Sequence, residues 1–276
     1  MAFKDIVDLQ GTHNTRDLGG YYGYRGYKVK RGQLFRSDSI HALTERDIEV
    51  LKDRYHLALD IDLRSEQEKH IKPDREIPGC RYVGISITSK TIQGLTIGAP
   101  ALFEHYPQFA LHYRRLFALN KEGSALEGMK NLYLHYVDME SNQTGFTEFI
   151  KTVMEADGPV LFHCADGKDR TGMAACYLLH ILGVAKEDIL DDYAASAEYL
   201  EVKVQERRAA LHRVEGLHDE NLIENICLLG TVRRCWLEAA LDDIDKNYGG
   251  MDRYVREILK ISDGTITALR NKYLEK

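Results

Sequence analysis

Residues 160–182 constrain this chain more than any other segment. Val160-Leu161-Phe162-His163 is a short continuous apolar run, punctuated upstream by Gly158-Pro159, with the character of a strand buried on both faces. A loop from Cys164 to Gly172 follows at once with Gly167 inside it, and residues 173–182 read as an apolar helix stopped by Gly183. Earlier in the chain, Gly32-Gln33-Leu34-Phe35-Arg36-Ser37 ends in a strand-like stretch. Thr44 with Asp47 three residues on predicts a capped helix start, and residues 57–63 predict a second strand. Strand, helix, strand in that order is the repeating unit of an α/β fold, here a central mostly parallel sheet flanked by helices.

The loop after the first strand has chemistry of its own. Backbone N–H groups of a tight loop point inward, and a helix N-terminus adds about half a positive charge. Together they form an anion cradle. Cys164 sits at its base, where such surroundings favour a nucleophilic thiolate. Arg170, six residues on, is placed to grip two oxygens of an anion bidentately. The geometry matches a phosphoryl group. His163 reads as a hydrogen-bonding residue that orders the loop. Asp17, Arg36 and Arg64 either line the pocket or form ion pairs that join strands to loops.

Among 276 residues, 44% are hydrophobic and 29% charged, which describes a globular chain rather than a disordered or membrane-spanning one. The formal charge of −6 gives no global pull toward nucleic acid or an anionic bilayer, so any anion must be held locally. Cys80, Cys164, Cys176, Cys227 and Cys235 lack disulfide-scaffold or zinc spacing and read as a reduced set. The first residues lack the pattern of a signal peptide, and the apolar run at 173–182 is too short to cross a bilayer, so a cytoplasmic location is expected. No linker divides the chain. One domain over 1–276 is expected, with a helical insertion at about 89–140 and a C-terminal helical part at about 186–276 that covers the sheet. An insertion of that length is either a lid or a packed helical subdomain.

His163-Cys164-x-x-Gly167-Lys168-Asp169-Arg170-Thr171-Gly172 resembles the nucleophile loop of a bacterial tyrosine-phosphatase-like family of cysteine-dependent phosphatases. The resemblance extends through Thr15-Arg16-Asp17-Leu18-Gly19-Gly20, Phe35-Arg36-Ser37, Asp62-Leu63-Arg64-Ser65 with Glu68, and Tyr248-Gly249-Gly250 with Tyr254. It is weakest over 89–140, where the family carries a helical lid. It implies attack of Cys164 on phosphorus to give a phosphocysteine, with Arg170 and the loop residues Ala165, Gly167, Lys168, Asp169 and Thr171 holding the phosphoryl oxygens. Neither metal nor cofactor is implied. The substrates implied are phosphorylated proteins, at tyrosine, and phosphoinositides, without nucleic acid or stable membrane insertion.

A proton donor to the leaving oxygen is also required. The Trp-Pro-Asp motif of many tyrosine phosphatases is missing, the single tryptophan being Trp236. Asp166 is the first candidate, because its loop is also similar to that of the myotubularins; Asp62 and Asp138 are the alternatives. Asp169 is placed to orient Arg170 or Lys168, and Thr171 either donates to the Cys164 sulfur or simply starts the helix. Competing readings are a phosphoinositide-selective phosphatase, a rhodanese-like sulfurtransferase and an inactive phosphate-binding module.

Overall fold

The computed structural model describes residues 6–87 and 123–276. Its centre is a five-stranded sheet of β1 (Arg16–Asp17), β3 (Leu34–Ser37), β6 (Val160–His163), β4 (Leu59–Asp62) and β5 (Arg81–Gly84), in that spatial order. β3, β6, β4 and β5 run parallel, and β1 closes one edge antiparallel. The mostly parallel α/β architecture expected from the sequence is therefore present. A separate two-stranded ribbon pairs β2 (Lys28–Val29) with β7 (Leu274–Glu275), which ties the last residues of the chain to its beginning.

β6 lies in the middle because all four of its residues can be buried, with Phe162 and Leu161 pointing to opposite faces. On one face Leu34, Leu59, Ile61, Val160 and Phe162 join the larger core with the helices, while Phe35 and Leu161 join a smaller core on the other. That smaller core packs under α1 (Glu45–Glu49). The expected capping box is formed there, Thr44 Oγ1 accepting from Asp47 N and Asp47 Oδ2 from Thr44 N. A second capping box, Ser65 with Glu68, starts α2 (Glu66–Ile71).

The larger core is filled by α3 (Ser124–Asp138), α4 (Glu140–Glu155) and α5 (Asp169–Ile181). α5 is apolar on nearly every side, as a helix enclosed by sheet and helices must be. It ends where Gly183 takes φ +84° against the backbone of Tyr24, as its sequence predicts. The C-terminal part comprises α6 (Lys186–Tyr199), α7 (Glu201–His212), α8 (Glu220–Leu228), α9 (Arg234–Tyr248) and α10 (Asp263–Tyr273). Trp236, Tyr254 and Tyr273 are buried in the same core as β6. Of the expected insertion, residues 89–122 lie outside the described residues. Its remainder is α3, packed through Leu132, Tyr133, Tyr136 and Val137.

Candidate active site

β6 delivers His163 and Cys164 to the carboxyl end of the sheet, and α5 starts five residues later. Gly167 makes the turn between them at φ +65°, where a Cβ would lie 2.4 Å from the carbonyl oxygen of Ser37. Only glycine fits this approach. The loop carbonyls are taken by donors outside it. Ser39 N donates to Ala165 O at 3.0 Å. Asn14 Nδ2 donates to Asp166 O at 3.0 Å and to Gly167 O at 3.1 Å, and Arg36 Nη2 donates to Gly167 O at 2.8 Å. With these oxygens fixed outward, the peptide N–H groups are left to an anion at the loop centre, in front of the α5 N-terminus. Cys164 is 2% exposed.

Arg170 is clamped by Glu68, with Nη1 to Oε2 at 2.8 Å and Nη2 to Oε1 at 2.7 Å. Burial works against both charges, yet the pair prevails: Glu68 is held below the usual carboxylate range by Arg170, and Arg170 is raised well above its ordinary value by Glu68. Asp169 therefore orients Lys168, at 2.6 Å, and not Arg170. Asp169 in turn accepts from Tyr133 Oη at 2.9 Å, which accepts from Tyr193 Oη at 2.6 Å. Thr171 is buried and its Oγ1 has no hydrogen-bond partner among the described residues, so no bond to the Cys164 sulfur is formed. Arg36 is buried between Gly167 O and Asp192, with Nη1 to Asp192 Oδ2 at 2.5 Å, and Arg16 Nε meets the same carboxylate at 3.1 Å. Burial would raise Asp192, but the two guanidinium groups bring it down to about 2.

The three candidate acids occupy different places. Asp166 is half-buried at the loop; burial raises its carboxyl, and Lys203, Arg207, Lys168 and Lys72 outweigh that and bring it below its ordinary value. Asp62 is fully buried and gripped by Arg64, with Nε to Oδ1 at 2.9 Å and Nη2 to Oδ2 at 2.8 Å. Despite burial, His163 and Arg64 hold Asp62 far below the usual carboxylate range. Asp138 is exposed at the end of α3, beside Tyr248 and Tyr254.

Asp17 accepts from Gly19 N and Gly32 N, so it braces a turn, while Arg36 and Arg64 form buried ion pairs. His163 places Nδ1 3.2 Å from Cys164 O, as a loop-ordering residue would. Burial would lower its pKa, but Asp62 and Asp60, with Asp74 nearby, raise it well above the ordinary value.

The C-terminal helices do more than cover the sheet. α6 supplies Asp192, and α7 supplies Lys203, bonded to Asp38 at 2.9 Å, and the buried Arg207. Sequence reasoning missed these residues. Arg207 falls on the apolar stripe of α7 with Val204 and Leu211, and a cation on such a stripe was the available signal. Tyr136 of α3 was missed too. Burial raises its phenol, and its field includes Asp169, Arg170, Cys164 and Glu68, which places it at the loop.

A cysteine cradled between a parallel strand and a helix, with a clamped arginine six residues on, belongs to the phosphatases, and this chain is a phosphatase. It belongs to the tyrosine phosphatase family, whose sequence model matches residues 7–275. A protein of Cupriavidus necator named as a tyrosine-protein phosphatase is 32% identical over 293 residues, covering 97% of this chain and 91% of that one. The triple specificity protein phosphatase PtpB of Mycobacterium tuberculosis is 25% identical, covering 98% of this chain and 99% of that one. The crystal structure of TpbA from P. aeruginosa is similar at 14% identity with a TM-score of 0.37, covering 82% of this chain and 95% of that chain.

Proposed function

We propose that the protein hydrolyses phosphotyrosine, and also phosphoinositide monoesters, through a phosphocysteine at Cys164. The observation that carries this reading is the clamped Arg170 opposite a loop whose carbonyls at Ala165, Asp166 and Gly167 are engaged from outside. Cys164 attacks phosphorus, the leaving oxygen departs with a proton, and water then displaces the thiolate to release orthophosphate. Arg170 and the loop amides of Ala165, Gly167, Lys168, Asp169 and Thr171 meet the equatorial oxygens, where charge spreads in the transition state. The pair Arg170–Glu68 holds that geometry before substrate arrives. Lys168, Lys203, Arg207 and Lys72 around Asp166 supply charge for a substrate carrying more than one phosphate, and the triple specificity of the M. tuberculosis relative's name fits the same breadth.

Asp166 is the proton donor in this reading. In the free site its neighbouring cations keep it ionised. A phosphate dianion among the same cations takes up their charge, so binding raises the affinity of Asp166 for a proton. Aryl phosphates leave readily and need that proton less than alkyl phosphates do. Asp166→Asn is thus expected to slow an inositol phosphate by about 10²–10⁴ and p-nitrophenyl phosphate far less; equal slowing of both removes Asp166 from the role. The reading as a whole is tested by orthophosphate release from a phosphotyrosine peptide and a soluble phosphatidylinositol 3-phosphate, with Cys164→Ser alongside. Release from both, abolished by Cys164→Ser, is expected. Release from the peptide alone discards the lipid half, and turnover by Cys164→Ser discards the phosphocysteine.

A further inference from the structure

His163 has a second side. Strand alternation puts it on the sheet face of Leu161, where β4 presents Asp60 and Asp62 and the chain after α2 brings in Asp74. His163 Nε2 lies 3.4 Å from Asp60 Oδ1 and 3.3 Å from Asp74 Oδ2. It hydrogen-bonds to neither: Nε2, Asp60 Oδ1 and Asp74 Oδ1 are buried with no hydrogen-bond partner among the described residues. One donor atom from each of the three residues falls within 4.8 Å of the others. A cavity of about 280 Å³ opens on Asp60 and Asp74, with Arg64, Lys69, Arg75 and Glu76 also in its lining, and none of its lining residues belongs to loop 164–170.

We propose that Asp60, Asp74 and His163 form a binding site for a divalent transition cation of the zinc class, entered through this cavity. Four ligands placed tetrahedrally at about 2.0–2.1 Å from such an ion stand about 3.3 Å apart, which is the separation of Nε2 from each carboxylate. The remaining nitrogen is already directed as a metal-binding imidazole requires, with Nδ1 against the Cys164 carbonyl. One imidazole and two carboxylates select zinc, cobalt or nickel over calcium and magnesium, which take oxygen alone. Asp62 and Asp74 are both paired with Arg64, and the carboxylates of Asp60, Asp62, Asp74 and Glu76 at and beneath the cavity outnumber the cations of Arg64, Lys69 and Arg75, so a dication entering there meets a small excess of negative charge. It takes the place of the proton on Nε2, and a water from the cavity completes the fourth position. The ion then sits one peptide from the nucleophile, without touching substrate.

Zinc also binds free thiolates, so the test uses the full chain as Cys164→Ser. Zinc affinity is read by competition with a chromophoric chelator, and the site is read directly from the visible spectrum of added cobalt. One zinc per chain is expected, together with the intense absorption of a low-coordinate cobalt centre. Asp74→Asn in the same background is expected to weaken zinc about 100-fold, since even an outer partner of a metal ligand is worth 10–100-fold. Asp74 is the residue to change because it lies in a loop outside the strands, and a far-ultraviolet spectrum checks the fold. Weak six-coordinate cobalt absorption, no stoichiometric zinc, or unchanged zinc affinity in folded Asp74→Asn would each overturn the proposal.

Discussion

Replacing Glu68 by glutamine separates two roles that one side chain performs. Its carboxylate accepts both Arg170 nitrogens at 2.7 and 2.8 Å, and Oε2 also accepts from Ser65 N at 2.9 Å and Ser65 Oγ at 2.8 Å. Glutamine keeps one acceptor and turns an NH₂ toward the other Arg170 nitrogen. At least one charge-assisted bond is lost, worth about 1.5–3 kcal/mol. The Ser65 contact survives only if the amide turns its oxygen that way, and then Arg170 loses alignment. If 2–3 kcal/mol of that loss appears in the transition state, kcat/KM falls roughly 30- to 150-fold. The assay is p-nitrophenyl phosphate hydrolysis over a substrate series, paired with urea unfolding of the same sample. A folded variant whose kcat/KM stays within about threefold of wild type would refute the reasoning and leave Glu68 as the cap of a short helix and nothing more.

Two further changes test the scaffold. Gly167→Ala places a methyl 2.4 Å from Ser37 O at a positive φ, so the loop must shift; a misplacement of about 1 Å costs on the order of 10²-fold in kcat, and wild-type turnover in this variant would show the turn to be tolerant. Asp192→Asn strips the shared partner from Arg16 and Arg36, two buried guanidinium groups, and is expected to destabilise by about 3–5 kcal/mol in urea unfolding. The wild-type pair also sets an acid limit. Asp192 is depressed to about 2, so its contribution is complete above the unfolded value near 4 and is lost as pH falls from about 4 to about 2. Its size is about 2 kcal/mol. Burial and Arg36 also lower Arg16, but an arginine starts so high that the carboxylate is the group that titrates in this window. Unfolding free energies that do not fall over that window in wild type, relative to Asp192→Asn, would show the ion pair to be inert.

How far the letters reached depends on how local each signal was. The strand of Val160–His163, the turn at Gly167 and the helix after it are set by neighbours in sequence, and all three appear where expected. The Thr44–Asp47 cap is local as well. α5 starts at Asp169, ahead of the apolar stretch at 173–182 from which the helix is read, because its first turn is polar. Glu68 was visible as part of a motif, but its grip on Arg170 spans 102 positions. No window of sequence shows such a contact. Asp192 and Lys203 were hidden for the same reason. They belong to helices whose amphipathic pattern is satisfied by packing alone, and their charged members read as solvated until the fold turns them toward the loop.

The carboxyl ends of the parallel strands explain why so much charge is buried here. β3 carries Arg36, β4 ends at Asp62 and β6 at His163, and each is fully buried next to apolar residues of the same strand. Alternation sends Arg36 to one face, where α6 answers it with Asp192, and sends Asp62 and His163 to the other, where Arg64, Asp60 and Asp74 answer them. Apolar residues of similar volume would serve stability as well or better at such positions. They would also leave the loop carbonyls without Arg36 and the Cys164 carbonyl without His163. The buried ions thus act on the loop from both faces of the sheet at once, and what they secure is the direction of a few peptide groups. An anion site made of backbone has no side chains of its own to hold it in place, so the strands beneath it must carry the charge that does.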